Sequence, residues 1–218
     1  MERELKLSFS SVEDMDRLWS DTVFASYKLP DSCKETDFKS IYYDTVDYLL
    51  RGKMASLRIR RIIGGGYIHT VKIKIGEKDG LHQRYEWNLE TDQDSFDIDF
   101  FLKHAISDDD PYELLKELLE KIRGRELKSL FTTVFHRKAF MVEYNDSFVE
   151  VANDCGKVSV DSSSVILCEM ELELVKGSVH DIVALGDKIL AHTNAKLYHS
   201  SKYQRGMQLL KEIQAKNE

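Results

Sequence analysis

Glu169-Met170-Glu171-Leu172-Glu173-Leu174 sets a carboxylate at every second residue with an apolar side chain between each pair. The same alternation runs through Leu57-Arg58-Ile59-Arg60, Val71-Lys72-Ile73-Lys74, Arg84-Tyr85-Glu86-Trp87-Asn88-Leu89-Glu90 and, at the start of the chain, Met1-Glu2-Arg3-Glu4-Leu5-Lys6. Side chains on a strand point alternately to opposite faces, so each run segregates charged from apolar residues. A half-buried sheet would carry mixed polar residues on its wet face. Here the strands tend towards one sign: basic at 58–60 and 72–74, acidic at 169–173. Like charges along one face repel, and neighbouring strands or a bound ion must offset that cost. A polar interior, acidic for metal and basic for a polyanion, satisfies both demands.

The 218 residues suffice for one large β-rich domain or two small ones with a substantial core. Charged residues make up 32%, above the usual quarter, and the excess lies inside the strand patterns. A net charge of −7 argues against a non-specific nucleic-acid binder and for an enclosed basic patch. Cys33, Cys155 and Cys168 form no CxxC pair and leave an odd thiol, which reads as reduced, cytosolic cysteine. The charged N-terminus is no signal peptide and no run approaches transmembrane length, so a soluble cytoplasmic domain without membrane contact is expected.

Strand-like runs lie near 2–9, 39–43, 55–63, 67–75, 82–90, 131–144, 147–153 and 165–175. Gly64-Gly65-Gly66, Gly76 to Gly80 and Asn145-Asp146 are short links that imply antiparallel neighbours. Helical signals separate the strands. Ser11 is an N-cap candidate before Val12, Met15 and Leu18-Trp19. Asp110-Pro111 offers a cap and a first-turn proline ahead of Leu114, Leu115, Leu118, Leu119 and Ile122. Val179 to His192 and a segment from about Lys202 onward read as further amphipathic helices. The expected fold is α+β: an eight-stranded antiparallel β-barrel with a charged interior, its apolar outer face covered by helices. Such a barrel has room for side chains and one small ligand, here a charged one.

In phase with the lumen are Lys6, Arg58, Arg60, Lys72, Lys74, Arg84 and Arg137 on the basic side, and Glu2, Glu4, Glu86, Glu150, Asp154, Glu169, Glu171 and Glu173 on the acidic side. Arginine forks pair bidentately with phosphate, lysine supplies point charges, and magnesium commonly bridges carboxylates to substrate phosphates. The set suits phosphoryl transfer to water without a protein nucleophile. Against this stands the ordinary meaning of any single run, a solvated strand face or a charge-blunted edge. Gly64–Gly66 is no phosphate loop, because it lacks GxxxxGK[ST] and joins two strands. The seven histidines have no metal-ligand spacing, and Cys155 lacks the context of a nucleophile. His136 falls out of phase, towards the helical shell, and Tyr42, Tyr43 and Trp87 read as core.

The ordered series of motifs resembles the CYTH domain family, the triphosphate tunnel metalloenzymes. Glu2-x-Glu4-x-Lys6 matches its ExExK, and Tyr42-Tyr43-Asp44-Thr45-Val46-Asp47-Tyr48-Leu49 matches YYDTPDxxL with Val46 for proline. The likeness continues through the arginine and lysine runs, Phe135-His136-Arg137, Glu150-Val151-Ala152-Asn153-Asp154-Cys155-Gly156, Glu169–Leu174 and Ser201-Lys202-Tyr203-Gln204-Arg205-Gly206. The resemblance implies one tunnel domain over 1–218 that binds a triphosphate with Mg²⁺ or Mn²⁺. Glu2, Glu4, Glu86, Asp154, Glu169 and Glu171 would serve the metal. Lys6, Arg58, Arg60, Lys72, Lys74, Arg84, Arg137 and Lys202 would bind phosphate, and Glu4, Lys6, Arg58, Arg60 and Lys202 would act in catalysis. The activity expected is hydrolysis of inorganic triphosphate. Alternatives are a class IV adenylate cyclase, a thiamine triphosphatase or a non-catalytic polyphosphate- or nucleotide-binding module. No stable nucleic-acid partner is expected, and a homodimer is compatible with the reading.

Overall fold

The computed structural model describes residues 1–19, 26–78, 81–105 and 111–217. Its strands are β1 (Glu2–Ser8), β2 (Lys34–Thr45), β3 (Ala55–Ile62), β4 (Tyr67–Lys78), β5 (Leu81–Thr91), β6 (Leu127–Tyr144), β7 (Ser147–Val160), β8 (Ser163–Lys176) and the two-residue β9 (Lys196–Leu197). Its helices are α1 (Val12–Trp19), α2 (Leu49–Gly52), α3 (Ile98–His104), α4 (Tyr112–Ile122), α5 (Val179–His192) and α6 (Lys202–Asn217). Strand order is β5-β4-β3-β2-β6-β7-β8-β1, and β1 pairs back onto β5 through Glu2↔Arg84 and Glu4↔His82 to close an antiparallel barrel. Further along β1, β9 takes the same edge at Leu7↔Leu197. Three strands separate β3 from β8 whichever way round one counts, so basic β3 faces acidic β8 across the lumen.

All eight expected strands are present, several of them longer. β7 runs on past the expected end at 153 to Val160. Gly156 is needed there because β6 crosses closely: a Cβ would lie 2.1 Å from the Val134 carbonyl oxygen. Asn145, at φ 53°, supplies the left-handed residue of the tight β6–β7 hairpin, where Tyr144 pairs Ser147.

The outward apolar residues meet the helices. Leu5, Leu7, Val151 and Leu172 pack with Met15 and Leu18 of α1 and with Ile182, Leu185 and Ile189 of α5. Leu57, Val71, Trp87 and Leu89 pack with Phe101 of α3 and with Leu115, Leu118, Leu119 and Ile122 of α4. Each fully buried leucine or isoleucine contributes about 1.5–3 kcal/mol relative to an exposed one. Ser11 caps α1, its hydroxyl accepting from the Asp14 amide at 3.1 Å. At one level of the barrel Phe38, Phe135 and Leu167 form a small apolar cluster.

Several local expectations are corrected. Pro111 occupies the capping position itself and α4 begins at Tyr112, while Asp110 lies outside the described residues. Gly76 sits inside β4 beside a register shift, not in a link, and the ladder runs on to Lys78↔Leu81; Gly80 lies outside the described residues. His136 does point outward but meets Asp37 at 2.9 Å in an open groove instead of a helix. Leu114 is exposed on α4, its neighbours at positions 115, 118 and 119 being the buried ones.

Candidate active site

The barrel encloses a cavity of about 230 Å³ lined by Glu2, Glu4, Lys6, Arg58, Arg60, Lys72, Lys74, Arg84, Glu86, Arg137, Glu171, Glu173 and Lys202, among others. Asp154 and Glu169 are fully buried and do not line it; they stand behind Lys202. Glu150 lies at the edge, with Arg137 Nη1 at 3.9 Å. The carboxylates expected to form one metal group are therefore divided between two walls.

On the β7–β8 wall, Asp154, Glu169 and Glu171 bring carboxylate oxygens within 4.8 Å of one another. Lys202, carried in by the first turn of α6, lies among them: Nζ is 2.6 Å from Asp154 Oδ2, 2.5 Å from Glu169 Oε1 and 2.9 Å from Glu171 Oε1. α6 can approach this closely because Gly206 lies flat on the Phe131 ring, where a Cβ would be 2.3 Å from ring carbons. Arg137 forks onto Asp154 at 2.7 Å through Nε and Nη2 and reaches Glu171 Oε2 at 2.6 Å. Lys6 pairs with Glu171 and lies 3.4 Å from Glu4. Burial alone would drive Lys6 towards neutrality, but Glu171 and Glu169 outweigh it and hold its pKa above the usual lysine range. Burial likewise opposes ionisation of Glu171, and Lys202, Lys6 and Arg137 overcome it, leaving a firm carboxylate. Asp154 follows the same pattern through Arg137 and Lys202.

On the β4–β5–β1 side, Lys72 Nζ lies 2.8 Å from Glu2 Oε1 and 2.5 Å from Glu86 Oε2. Arg84 pairs with Glu4 and lies 3.7 Å from Glu2 Oε2, an oxygen buried without a hydrogen-bond partner. Burial and the Glu86 charge push the Glu2 carboxyl up. For Glu86, Lys72 and Arg58 outweigh burial and hold it well below the carboxylate range. Burial, with Glu2 and Glu86 nearby, pushes Glu173 up to about 7. Lys74, at the rim, pairs with Glu77 at 2.9 Å.

β3 is different. Arg58 Nη2 donates to Thr70 Oγ1 at 2.9 Å, its nearest carboxylate oxygen is Glu86 Oε1 at 3.9 Å, and its Nε is buried without a partner. Arg60 donates from Nε to Ser40 Oγ at 3.1 Å and stacks 4.6 Å and 5.2 Å from the Phe38 and Phe135 ring centres. Among the described residues no carboxylate is within ion-pair distance of Arg60. Burial, then Arg58 and Arg137, push its guanidinium down to about 9. A buried charge without a counter-charge is costly, and an anion in the lumen would relieve it.

Several site residues escaped the sequence reading. Thr70 is in phase with Lys72 and Lys74, so the alternation already contained it, whereas Ser40 has no charge to mark it. Tyr42, read as core, is buried but forms part of the cavity wall and stacks on Phe131 with centroids 4.5 Å apart. Arg205, one helical turn after Lys202, reaches Glu169 Oε2 at 3.1 Å. Asp44 is structural: its carboxylate accepts from the Leu50 and Arg51 amides at 2.8 and 3.0 Å and fixes α2. Val46, where the motif has proline, is an exposed turn residue.

The structure is a closed eight-stranded antiparallel barrel around a buried lumen with opposed acidic and basic walls. The chain belongs to the CYTH domain family, whose profile matches residues 1–207. It is 29% identical over 167 residues to the inorganic triphosphatase of Haemophilus influenzae; the match covers 76% of this chain and spans 44% of that protein's length. Among solved structures it resembles a candidate adenylyl cyclase from Hippeastrum with a dominant triphosphatase activity, at a TM-score of 0.59, 17% identity and 93% coverage of both chains. A protein from Pyrococcus horikoshii has a TM-score of 0.54 and 18% identity, with 95% of this chain and 99% of that one covered. These likenesses establish the fold. Among the described residues, no helix is long and apolar enough to cross a membrane.

Proposed function

We propose that this chain is a divalent-metal-dependent triphosphatase acting as one domain, with inorganic triphosphate as its substrate. The observation that carries the reading is the buried Arg58–Arg60 pair, which lacks adequate counter-charge in an enclosed lumen. The cavity of about 230 Å³ is below the roughly 300–1,000 Å³ of pockets for drug-sized ligands, which favours a compact polyanion over a nucleotide held whole. The family relationship and the triphosphatase among the chain's relatives support the same reading.

A triphosphate entering the lumen supplies the charge that β3 lacks. Arg58 and Arg60 grip the oxygens of one phosphoryl group, and Lys72, Lys74 and Arg84 receive the rest of the chain. Lys6 and Arg137, kept charged by their carboxylates, offset charge on the leaving diphosphate as water adds at phosphorus. The hard-oxygen donor set and the orphaned Glu2 Oε2 fit Mg²⁺ or Mn²⁺. Glu2, Glu4 and Glu171 would hold such an ion from the lumen, with Glu86, Asp154 and Glu169 adjoining. When bound, it would neutralise charge on the phosphates.

The test is a panel of inorganic triphosphate, thiamine triphosphate and ATP with Mg²⁺ and Mn²⁺, following phosphate, diphosphate and cyclic AMP. Release of one phosphate and one diphosphate from inorganic triphosphate is the expected outcome. Cyclic AMP formation with inert triphosphate would overturn the assignment.

A further inference from the structure

Cys155 on β7 and Cys168 on β8 are direct cross-strand partners, and both are free thiols. They lie on the outer face, one residue out of phase with Asp154 and Glu169. The Phe9 amide donates to the Cys168 carbonyl at 3.3 Å. In an antiparallel ladder a residue's N–H and C=O point to the same side, so those of Cys168 face β1. The rung it shares with Cys155 is therefore a non-hydrogen-bonded pair, which brings Cα atoms to about 4.5 Å and side chains closest together. Disulfides span roughly 4.4–6.8 Å between Cα atoms and most fall at about 5.5–6 Å. The bond can close here, but relaxing it widens the rung by about 1 Å. The adjacent rung is Asp154↔Glu169, the pair whose carboxylates enclose the Lys202 ammonium. Cys155 also forms part of an open outer groove with Phe38, Val134, His136, Lys157 and Ile166, which gives a small oxidant access.

We propose that Cys155 and Cys168 are a modification site for peroxide, closing to a reversible cross-strand disulfide that displaces the Asp154–Glu169 rung and slows the enzyme. Burial pushes both thiols up, Cys155 to about 12, so oxidation is slow and runs through the small thiolate fraction. The thiolate sulfur attacks a peroxide oxygen, the O–O bond breaks, the displaced hydroxide takes up a proton as water, and a sulfenic acid remains. The second sulfur displaces its hydroxyl group as a second water, and the S–S bond forms. Both sulfurs are oxidised and both peroxide oxygens reduced, with no other reactant. Closure at the short end of the permitted range makes the bond strained, so thiols reduce it readily.

The activity arm rests on the triphosphatase reading; the chemical arm does not. In a Cys33→Ser background, folded protein is treated with hydrogen peroxide and digested without reductant. A peptide linking 155 to 168 is expected. Displacing the rung by about 1 Å should lower triphosphate hydrolysis roughly tenfold, with recovery in dithiothreitol and no loss in the Cys155→Ser variant. Two thiols surviving prolonged peroxide, a linked peptide with unchanged turnover, or equal inactivation of the Cys155→Ser variant would each overturn the proposal. Absence of hydrolysis in the reduced protein would count against the triphosphatase reading alone, because peptide mapping needs no turnover.

Discussion

Arg60→Met separates a binding cation from a structural one. Burial beside Arg58 and Arg137 brings the Arg60 guanidinium down to about 9. At 1.36 kcal/mol per pH unit, that displacement from the usual arginine value corresponds to roughly 4–5 kcal/mol acting against the cation. The Phe38 and Phe135 rings and the Ser40 hydroxyl return about 2–3 kcal/mol of this. Methionine fills similar space against the same rings without the charge. The free protein should therefore gain about 1–3 kcal/mol, and its melting temperature should rise by several degrees. Tripolyphosphate binding should weaken about 10–100-fold, because one or two charge-assisted hydrogen bonds of roughly 1.5–3 kcal/mol are lost. Thermal melts with and without tripolyphosphate read both effects on one preparation. A variant that melts lower than wild type yet keeps the full tripolyphosphate-induced shift would refute the argument.

Metal chelation should abolish triphosphate hydrolysis, and Mg²⁺ or Mn²⁺ should restore it; full turnover in EDTA would exclude the metal role. Glu173 is raised to about 7, so its folded form binds a proton that the unfolded chain has released. Its contribution is fully present below the ordinary carboxylate pKa and is lost as pH rises through 7. Metal-free wild type should lose up to about 3 kcal/mol relative to Glu173→Gln between pH 4.5 and 8, measured by denaturant melts across that range. Lys202→Met leaves Asp154, Glu169 and Glu171 without their shared ammonium, and should lower stability by about 3–5 kcal/mol. Added Mg²⁺ should recover much of the lost melting temperature of that variant. Glu4→Gln should remove most turnover and cost about 1–3 kcal/mol in thermal melts, because Glu4 is paired to Arg84 and near Lys6; unaltered kinetics would make Glu4 purely structural.

Alternation carried most of the fold. Charges at every second residue mark β1, β3, β4, β5 and β8, and the apolar phase of the same strands names the residues that meet α1, α3, α4 and α5. Legibility stopped where the backbone is set by an element distant in sequence. The expected strand stops at 153, because local propensity cannot foresee the close approach of β6 at Gly156. The division of the carboxylates was hidden for the same reason. Spacing shows that Glu169 and Glu171 share a face, but not that Lys202, more than thirty residues on, would lie among them. Nor could it show that β1, through Glu4↔His82 and Glu4↔Glu173, seats Glu4 between the two walls. Charge and phase are local properties; which charge meets which is a property of closure.

That closure leaves an asymmetry with a chemical direction. Lysine ammoniums already neutralise Glu169 and Glu171 of β8 and the Glu2–Glu86 pair, whereas on β3 Arg60 has a hydroxyl and aromatic rings in place of a carboxylate and Arg58 has only Glu86, at 3.9 Å. An anion therefore gains most at β3, where it displaces the least counter-charge. A divalent cation gains at the opposite wall only if a lysine yields its carboxylates. A polyphosphate spanning the lumen makes both changes favourable together: it gives Arg58 and Arg60 their counter-charge and offers Lys6, Lys72 and Lys202 phosphate oxygens in exchange for carboxylate ones. The carboxylates so released are those with the charge and oxygen chemistry that a hard cation requires. Metal and polyanion should accordingly bind with positive coupling, each improving the site for the other.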